Sequence, residues 1–217
     1  RYEKKFIISE SEFSNLKILL SSKNFIECFP KRKISSIYYD TKDLKLFYES
    51  ENGISRRKKI RVRWYNDNLS NSKIEYKIKK SELGDKNFYK ISNFKKNELS
   101  QVCFFGSKNN LSKDFLPTRI DNFYLPTTLV SYHRNYFLKN NLRITYDSSI
   151  YFYAISRNSS RINILHSIPS EYSVLEMKYE EGEDYSIDKT IQHLTDKLDL
   201  SLTRFSKYSN SIRSLYC

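Results

Sequence analysis

The sequence predicts an α+β fold, mainly antiparallel β with helices packed on the outside and built as one domain over residues 1–217. Three observations carry this. Tyr (18) and Phe (14) far outnumber Gly (4) and Pro (4), the balance of an ordered, strand-rich globule. Segment after segment alternates charged with apolar side chains, the period of a strand with two unlike faces. One stretch, SIDKTIQHLTDKLDL, instead carries apolar residues at helical spacing, and no long linker or internal repeat divides the chain.

RYEKKFIIS reads as a first strand, and SESEFSNLKILLSS as a helix whose Ser9 and Glu12 match the capping box S-x-x-E. FIECFP reads as a turn, ISSIYYDT as a strand and KDLKLFYES as a short helix. RRKKIRVRWY and KIEYKIKKS follow as two strands joined by a polar hairpin loop, NDNLSNS. Residues 95–124 are mixed, with short helices expected at Lys96–Gln101 and Ser112–Phe123. TTLVSYHRNYFL and NNLRITYDSSIYFY form a second hairpin that turns near Lys139–Asn141. SRNSSRINILHSIPSE reads as a loop, SVLEMKYE as a strand, SIDKTIQHLTDKLDL as an amphipathic helix, and RFSKYSNSIRSLY as a last helical turn or two.

With 38 basic and 25 acidic residues the chain carries a net charge of +13, which calls for a polyanionic partner: nucleic acid, an anionic membrane or a phosphate-rich small molecule. Cys28, Cys103 and Cys217 have no CxxC spacing, so neither a zinc knuckle nor a disulfide framework is indicated, and a reducing, cytoplasmic setting fits. No apolar run reaches the roughly 18–20 residues of a membrane span and the N-terminus shows no signal-peptide pattern, so membrane association is expected only through a partner or through sequence outside this chain. A Walker loop and a GxSxG elbow are both missing, and His133, His166 and His193 have no nucleophile at a recognisable spacing.

The charged strand faces are the informative feature. Lys59, Arg61 and Arg63 alternate with Ile60, Val62 and Trp64. The pattern recurs in Arg1, Glu3 and Lys5, in Glu75, Lys77 and Lys79, in Tyr132 and Arg134, in Arg143, Thr145 and Asp147, and in Glu176, Lys178 and Glu180. A solvated sheet face normally mixes Thr, Ser, Lys and Glu, whereas this one is dominated by Arg and Lys. Converging on a lumen, such faces repel unless a polyanion and a metal ion occupy it. A nucleic-acid-binding barrel would instead need aromatics beside the basic residues, and the tyrosines fall mainly on the apolar faces, which disfavours nucleic acid.

The ordered set RxExK (Arg1, Glu3, Lys5), SIYYDT, KIRVRWY, IEYK, SYHRNYF, LRITYD, LEMKY and SKY (Ser206–Tyr208) resembles the VTC domain, the polyphosphate polymerase branch of the triphosphate tunnel metalloenzymes. The resemblance runs over essentially the whole chain. It implies a closed antiparallel β-barrel tunnel with helices packed on the outside, phosphate ligands at Lys5, Arg61, Arg63, Lys77, Arg134, Arg143 and Lys207, hydrogen-bonding companions at Tyr132 and Ser206, and a metal carboxylate at Glu176. Glu3 and Glu75 are expected in the same lumen, either near the metal or as salt-bridge partners. Lys59, Lys79, Lys86 and Lys178 are further phosphate candidates against the plain reading of solvated lysines.

The hydrolytic CYTH relatives open with ExExK, and Arg1 here stands in place of the first Glu, which favours the polymerase branch. Eukaryotic polymerases carry a further arginine pair after the SxYYD strand, a place that only Arg56 and Arg57 can fill. The implied activity is transfer of the γ-phosphate of ATP to inorganic polyphosphate with Mn²⁺ or Mg²⁺, the hard ions that carboxylate and phosphate oxygens select. A triphosphate hydrolase of the same fold and a non-catalytic polyphosphate-binding module are the alternatives.

Overall fold

A computed structural model describes residues 2–80, 83–90, 124–156, 162–180 and 185–217. Nine strands and four helices are defined among them: β1 Tyr2–Ile8, α1 Glu10–Ser22, β2 Ile26–Asp40, α2 Lys45–Glu51, β3 Arg56–Tyr65, β4 Asn68–Lys80, β5 Leu83–Lys90, β6 Leu125–Lys139, β7 Leu142–Ile155, β8 Ile164–Pro169, β9 Ser173–Tyr179, α3 Tyr185–Lys197 and α4 Lys207–Tyr216. The class is α+β and mainly antiparallel, as expected. The strand pairing is a path with two ends among the described residues, and the expected closure into a barrel is not seen in it. The two short helices expected within 95–124 lie outside the described residues. No described helix is long and apolar enough to cross a membrane.

Contacts divide the chain into two compact units. The first comprises Arg1–Lys33, Tyr132–Ile150 and Pro169–Ser206. In it β1 pairs with β9 and β9 with β7, and Phe6, Ile144, Leu175 and Met177 turn the same way. That face is buried under Leu16 and Leu20 of α1 and Ile191 and Leu194 of α3. Each such side chain contributes about 1.5–3 kcal/mol by leaving water, and Phe13 of α1 adds a stacked contact with Tyr146 at 3.5 Å between ring centroids. α1 starts where the sequence places it: Ser9 Oγ accepts from Glu12 N at 3.2 Å while Glu12 Oε2 accepts from Ser9 N at 2.7 Å.

The second unit comprises Ile34–Ser131, Tyr151–Ile168 and Lys207–Cys217. Its core gathers Ile37 and Tyr39 of β2, Ile60, Val62 and Trp64 of β3, Ile74 and Tyr76 of β4 and Leu46 of α2. The apolar face of the KIRVRWY strand is therefore buried, and its charged face is the opposite one.

Three local expectations are corrected, and one strand, β5, stands where no element was expected. FIECFP is the start of β2 rather than a turn; β3 pairs only with Ile34–Tyr39, so on that side the missing N–H of Pro30 removes no ladder bond. NDNLSNS is not a loop: Asn66 and Asp67 both take positive φ (49° and 59°) and make a two-residue turn, so β4 begins at Asn68. Asn and Asp tolerate this left-handed conformation because their short side chains bond locally. β5 follows β4 as a further hairpin strand, and β8, within the stretch read as a loop, pairs with β7 although its side chains are mostly exposed and show no alternation.

Candidate functional site

In the first unit, strand register sets charge against charge. Glu3 of β1 lies opposite Lys178 of β9, which lies opposite Arg143 of β7; one step along, Lys5 lies opposite Glu176, which lies opposite Thr145. The side chains follow the register. Lys178 Nζ is 2.9 Å from Glu176 Oε2 and 3.4 Å from Glu3 Oε2, and Lys5 Nζ is 3.0 Å from Glu3 Oε1 and 3.8 Å from Glu176 Oε1. Arg134 of β6 approaches Glu176 Oε2 at 3.7 Å and is gripped by Asp147 of β7, Nε to Oδ1 at 2.5 Å and Nη2 to Oδ2 at 2.6 Å. The Arg134 guanidinium also lies 5.3 Å from the Tyr132 ring centroid.

Burial alone would push the Glu176 carboxyl up, but the charges of Lys178, Lys5 and Arg134 and a hydrogen bond with Glu3 hold it well below the usual carboxylate range. Lys178 is held below its ordinary value by loss of hydration, which Glu176 and Glu3 only partly offset. Arg134, though buried, is pushed up by the Asp147 charge. The chain after α3 is tied to this corner: Thr203 N donates to Lys5 O at 2.8 Å, and Lys5 Nζ donates to Phe205 O at 3.1 Å, next to Ser206.

The donor set suits a hard divalent cation. Glu3 and Glu176 share both lysines as neighbours, Glu176 is held ionised, and the buried Thr145 Oγ1 opposite it has no hydrogen-bond partner among the described residues. No group of three or more His, Cys, Asp and Glu side chains is arranged for a metal among the described residues, so the remaining ligands would have to come from substrate or water.

In the second unit, Arg61 of β3 lies opposite Glu75 of β4 on one side and Tyr38 of β2 on the other, and Arg63 lies opposite Ser36. Arg61 Nε and Nη2 donate to Glu75 Oε2 at 2.7 and 2.5 Å, and Nη1 donates to the Tyr38 hydroxyl at 3.0 Å. Arg63 Nε donates to Ser36 Oγ at 3.1 Å and its Nη1 is 3.7 Å from Glu75 Oε1. Glu75, buried, therefore serves both arginines. Farther along the ladder Lys59 faces Lys77, and Arg57 faces Lys79.

A family profile for the VTC domain matches residues 1–216. The chain belongs to the VTC domain family. Comparison with curated proteins finds no match. Among solved structures this VTC domain is similar to a candidate adenylate cyclase from Bacillus halodurans (15% identity, TM-score 0.59, 99% of this chain and 96% of that one). It is also similar to a candidate adenylate cyclase from Vibrio parahaemolyticus (13%, 0.55, 98% and 97%) and to a candidate adenylyl cyclase from Hippeastrum with a dominant triphosphatase activity (12%, 0.52, 98% and 95%). At such identity the likeness is one of fold.

The VTC domain's structure brings Glu3, Lys5, Arg134, Glu176 and Lys178 together in the first unit, with Arg143 in register beside Lys178 and Tyr132 against Arg134. It groups Arg61, Arg63 and Glu75 in the second unit, with Lys59 and Lys77 next on the ladder. Lys207 opens α4 directly after Ser206. In strand register Lys79 lies opposite Arg57 and Lys86 opposite Lys77, and the side chains of both lie outside the described residues. Sequence reasoning passed over Ser36, Tyr38, Asp40 and Asp147 as site residues. The signal was present: Ser36, Tyr38 and Asp40 alternate along β2, and Asp147 follows Arg143 and Thr145 at the same period.

Proposed function

We propose that this VTC domain is a metal-dependent phosphotransferase that makes inorganic polyphosphate from ATP, acting over its whole length as one functional domain. The observation that carries this reading is the buried Glu176, held ionised among Lys5, Arg134 and Lys178. That arrangement offers a carboxylate for Mn²⁺ or Mg²⁺ and, around it, cations matched to phosphate oxygens.

Phosphoryl transfer needs positioning and charge stabilisation more than covalent chemistry. Lys5, Arg134, Arg143 and Lys178, and in the other unit Arg61, Arg63, Lys59, Lys77, Lys79 and Lys207, are the proposed phosphate ligands, with Tyr132 and Ser206 as companions. The antiparallel sheet would serve as a tunnel wall. Glu176 and Glu3 would hold the metal, which neutralises charge on the transferring group; Glu75, ion-paired with Arg61 and Arg63, fits better as their anchor than as a third metal ligand. An oxygen of the terminal phosphate of the chain forms a bond to the γ-phosphorus of ATP, the bond from that phosphorus to the β,γ-bridging oxygen breaks, and ADP leaves.

Arg1 in place of the first acid of ExExK supports polymer synthesis over hydrolysis. The test is incubation with ATP and Mn²⁺, read as polyphosphate on a gel and as free orthophosphate. Polymer above a Glu176→Ala control supports the reading. Orthophosphate alone would replace it with the triphosphatase reading, for which the Hippeastrum protein of the same fold is the precedent; tight binding of triphosphate without turnover would leave a binding module.

A further inference from the structure

In the second unit a buried row of side chains runs from a helix N-terminus to a site arginine. The Asp40 carboxylate, with no exposure to solvent, accepts backbone N–H bonds from Thr41 at 2.7 Å, from Leu46 at 2.8 Å and from Phe47 at 2.9 Å. The latter two lie in the first turn of α2, where Leu44 takes a left-handed backbone and supplies no side-chain cap. Asp40 also accepts from the hydroxyl of Tyr208, the second residue of α4. The Tyr208 ring stacks on Tyr38, 5.2 Å between centroids at 24°. Tyr38 accepts in turn from Arg61 Nη1, and the Arg61 guanidinium lies 5.8 Å from the Tyr38 ring centroid.

We infer that Asp40, Tyr208 and Tyr38 are positioning residues: together they form a relay that fixes the Arg61 guanidinium on the side opposite Glu75 and ties the start of α4, with Lys207, to that arginine. The inference rests on the phosphate-binding reading for the purpose of Arg61, and on the geometry alone for the relay. Burial of Asp40 and Tyr38 (4% exposed) gives each hydrogen bond more weight than at a surface, because water cannot replace a lost partner. The charges agree with the geometry: burial would push the Tyr38 phenol up, but Arg61, Arg63 and Lys207 together hold it below its ordinary value, so three site cations bear on one hydroxyl. A ligand-binding arginine gripped on two sides is oriented before substrate arrives, the condition for tight and selective phosphate binding.

The experiment follows the Arg61 Nε–H resonance in the ¹⁵N-labelled chain, identified by its loss in Arg61→Lys, with Arg134 Nε–H of the other unit as internal control. Tyr38→Phe and Tyr208→Phe each remove one hydroxyl and keep the ring. Hydrogen exchange at Arg61 Nε–H is expected to speed up by about tenfold in either variant, the effect of one lost bond to a charged group, with Arg134 unchanged. Tripolyphosphate affinity, measured on the same samples, is expected to fall by a similar factor. Equal acceleration at both arginines would show general loosening, and no acceleration at Arg61 would show that Glu75 alone holds it; either overturns the relay. Wild-type protein that fails to bind tripolyphosphate would overturn the phosphate reading instead, while the exchange measurement, which needs no ligand, still decides the relay.

Discussion

Asp147 holds Arg134 through two parallel hydrogen bonds, Nε to Oδ1 and Nη2 to Oδ2, and the carboxylate that makes them is completely shielded from solvent. A fork-to-fork pair of this kind fixes the plane of the guanidinium as well as its charge. Removing one partner leaves an uncompensated buried charge, so Asp147→Ala should destabilise the chain by about 3–5 kcal/mol, well beyond an average substitution. Asp147→Asn, which retains one acceptor oxygen, should cost less. Urea unfolding of both variants checks this; a loss under about 1 kcal/mol for Asp147→Ala would mean that water reaches Arg134 freely.

Two buried carboxylates should respond to pH in opposite directions. The value of Glu176 in the folded state is depressed, so the stability it confers is fully present above the ordinary carboxylate value of about 4.3 and is lost as pH falls through the folded value. The value of Asp40 is raised, because burial outweighs the bonds from Tyr208 and from the N–H groups of Leu46, Phe47 and Thr41. The folded state therefore binds the proton more readily than the unfolded one, and this group's contribution grows as pH falls through its raised value. Glu176→Gln should thus flatten the acid limb of a stability-against-pH curve measured by thermal unfolding. An unchanged limb in that variant would show that Glu176 carries no such linkage.

The ladder from Lys59 to Lys77 places like charges directly across a strand pair, an arrangement that costs roughly 0.2–1 kcal/mol. If phosphate binding is what the pair serves, Lys77→Gln should raise stability by a few tenths of a kcal/mol while weakening tripolyphosphate binding and reducing its salt dependence. Calorimetric titration at two ionic strengths beside a melting curve separates the two effects. Loss of both stability and affinity would argue that Lys77 is a packing residue.

Much of this molecule was legible because its strands have two unlike faces. The alternation in KIRVRWY and LEMKY separates Ile60, Val62, Leu175 and Met177, all buried in cores, from the arginines, lysines and carboxylates of the site. What escaped depends on backbone geometry. The left-handed pair Asn66–Asp67 shortens an apparent loop to a two-residue turn, and β8 is held by strand pairing that its side chains do not advertise. Asp40, Tyr38 and Asp147 escaped because composition marks charge but not the partner that neutralises it: a carboxylate beside an arginine reads as a ligand, an anchor or a solvated residue until the distances are known.

The alternating square of Glu3, Lys178, Glu176 and Lys5 yields the last prediction. Without a cation, the lysine ammonium groups neutralise the two carboxylates at 2.9 to 3.8 Å. A divalent ion held by Glu3 and Glu176 would compete with those contacts and would leave Lys5 and Lys178 available to phosphate oxygens. Metal and triphosphate should therefore strengthen each other's binding by the same factor, as linkage requires, with a coupling on the order of 1–3 kcal/mol. Glu3→Gln is the informative variant because Glu3 is exposed and its loss leaves Glu176 paired with Lys178. Tripolyphosphate should still bind to that variant without metal, while the enhancement by Mn²⁺ shrinks toward unity. A four-way calorimetric cycle, corrected for the Mn²⁺–tripolyphosphate complex formed in solution, measures the coupling directly; an undiminished enhancement in Glu3→Gln would remove Glu3 from the metal site and leave Glu176 as its carboxylate.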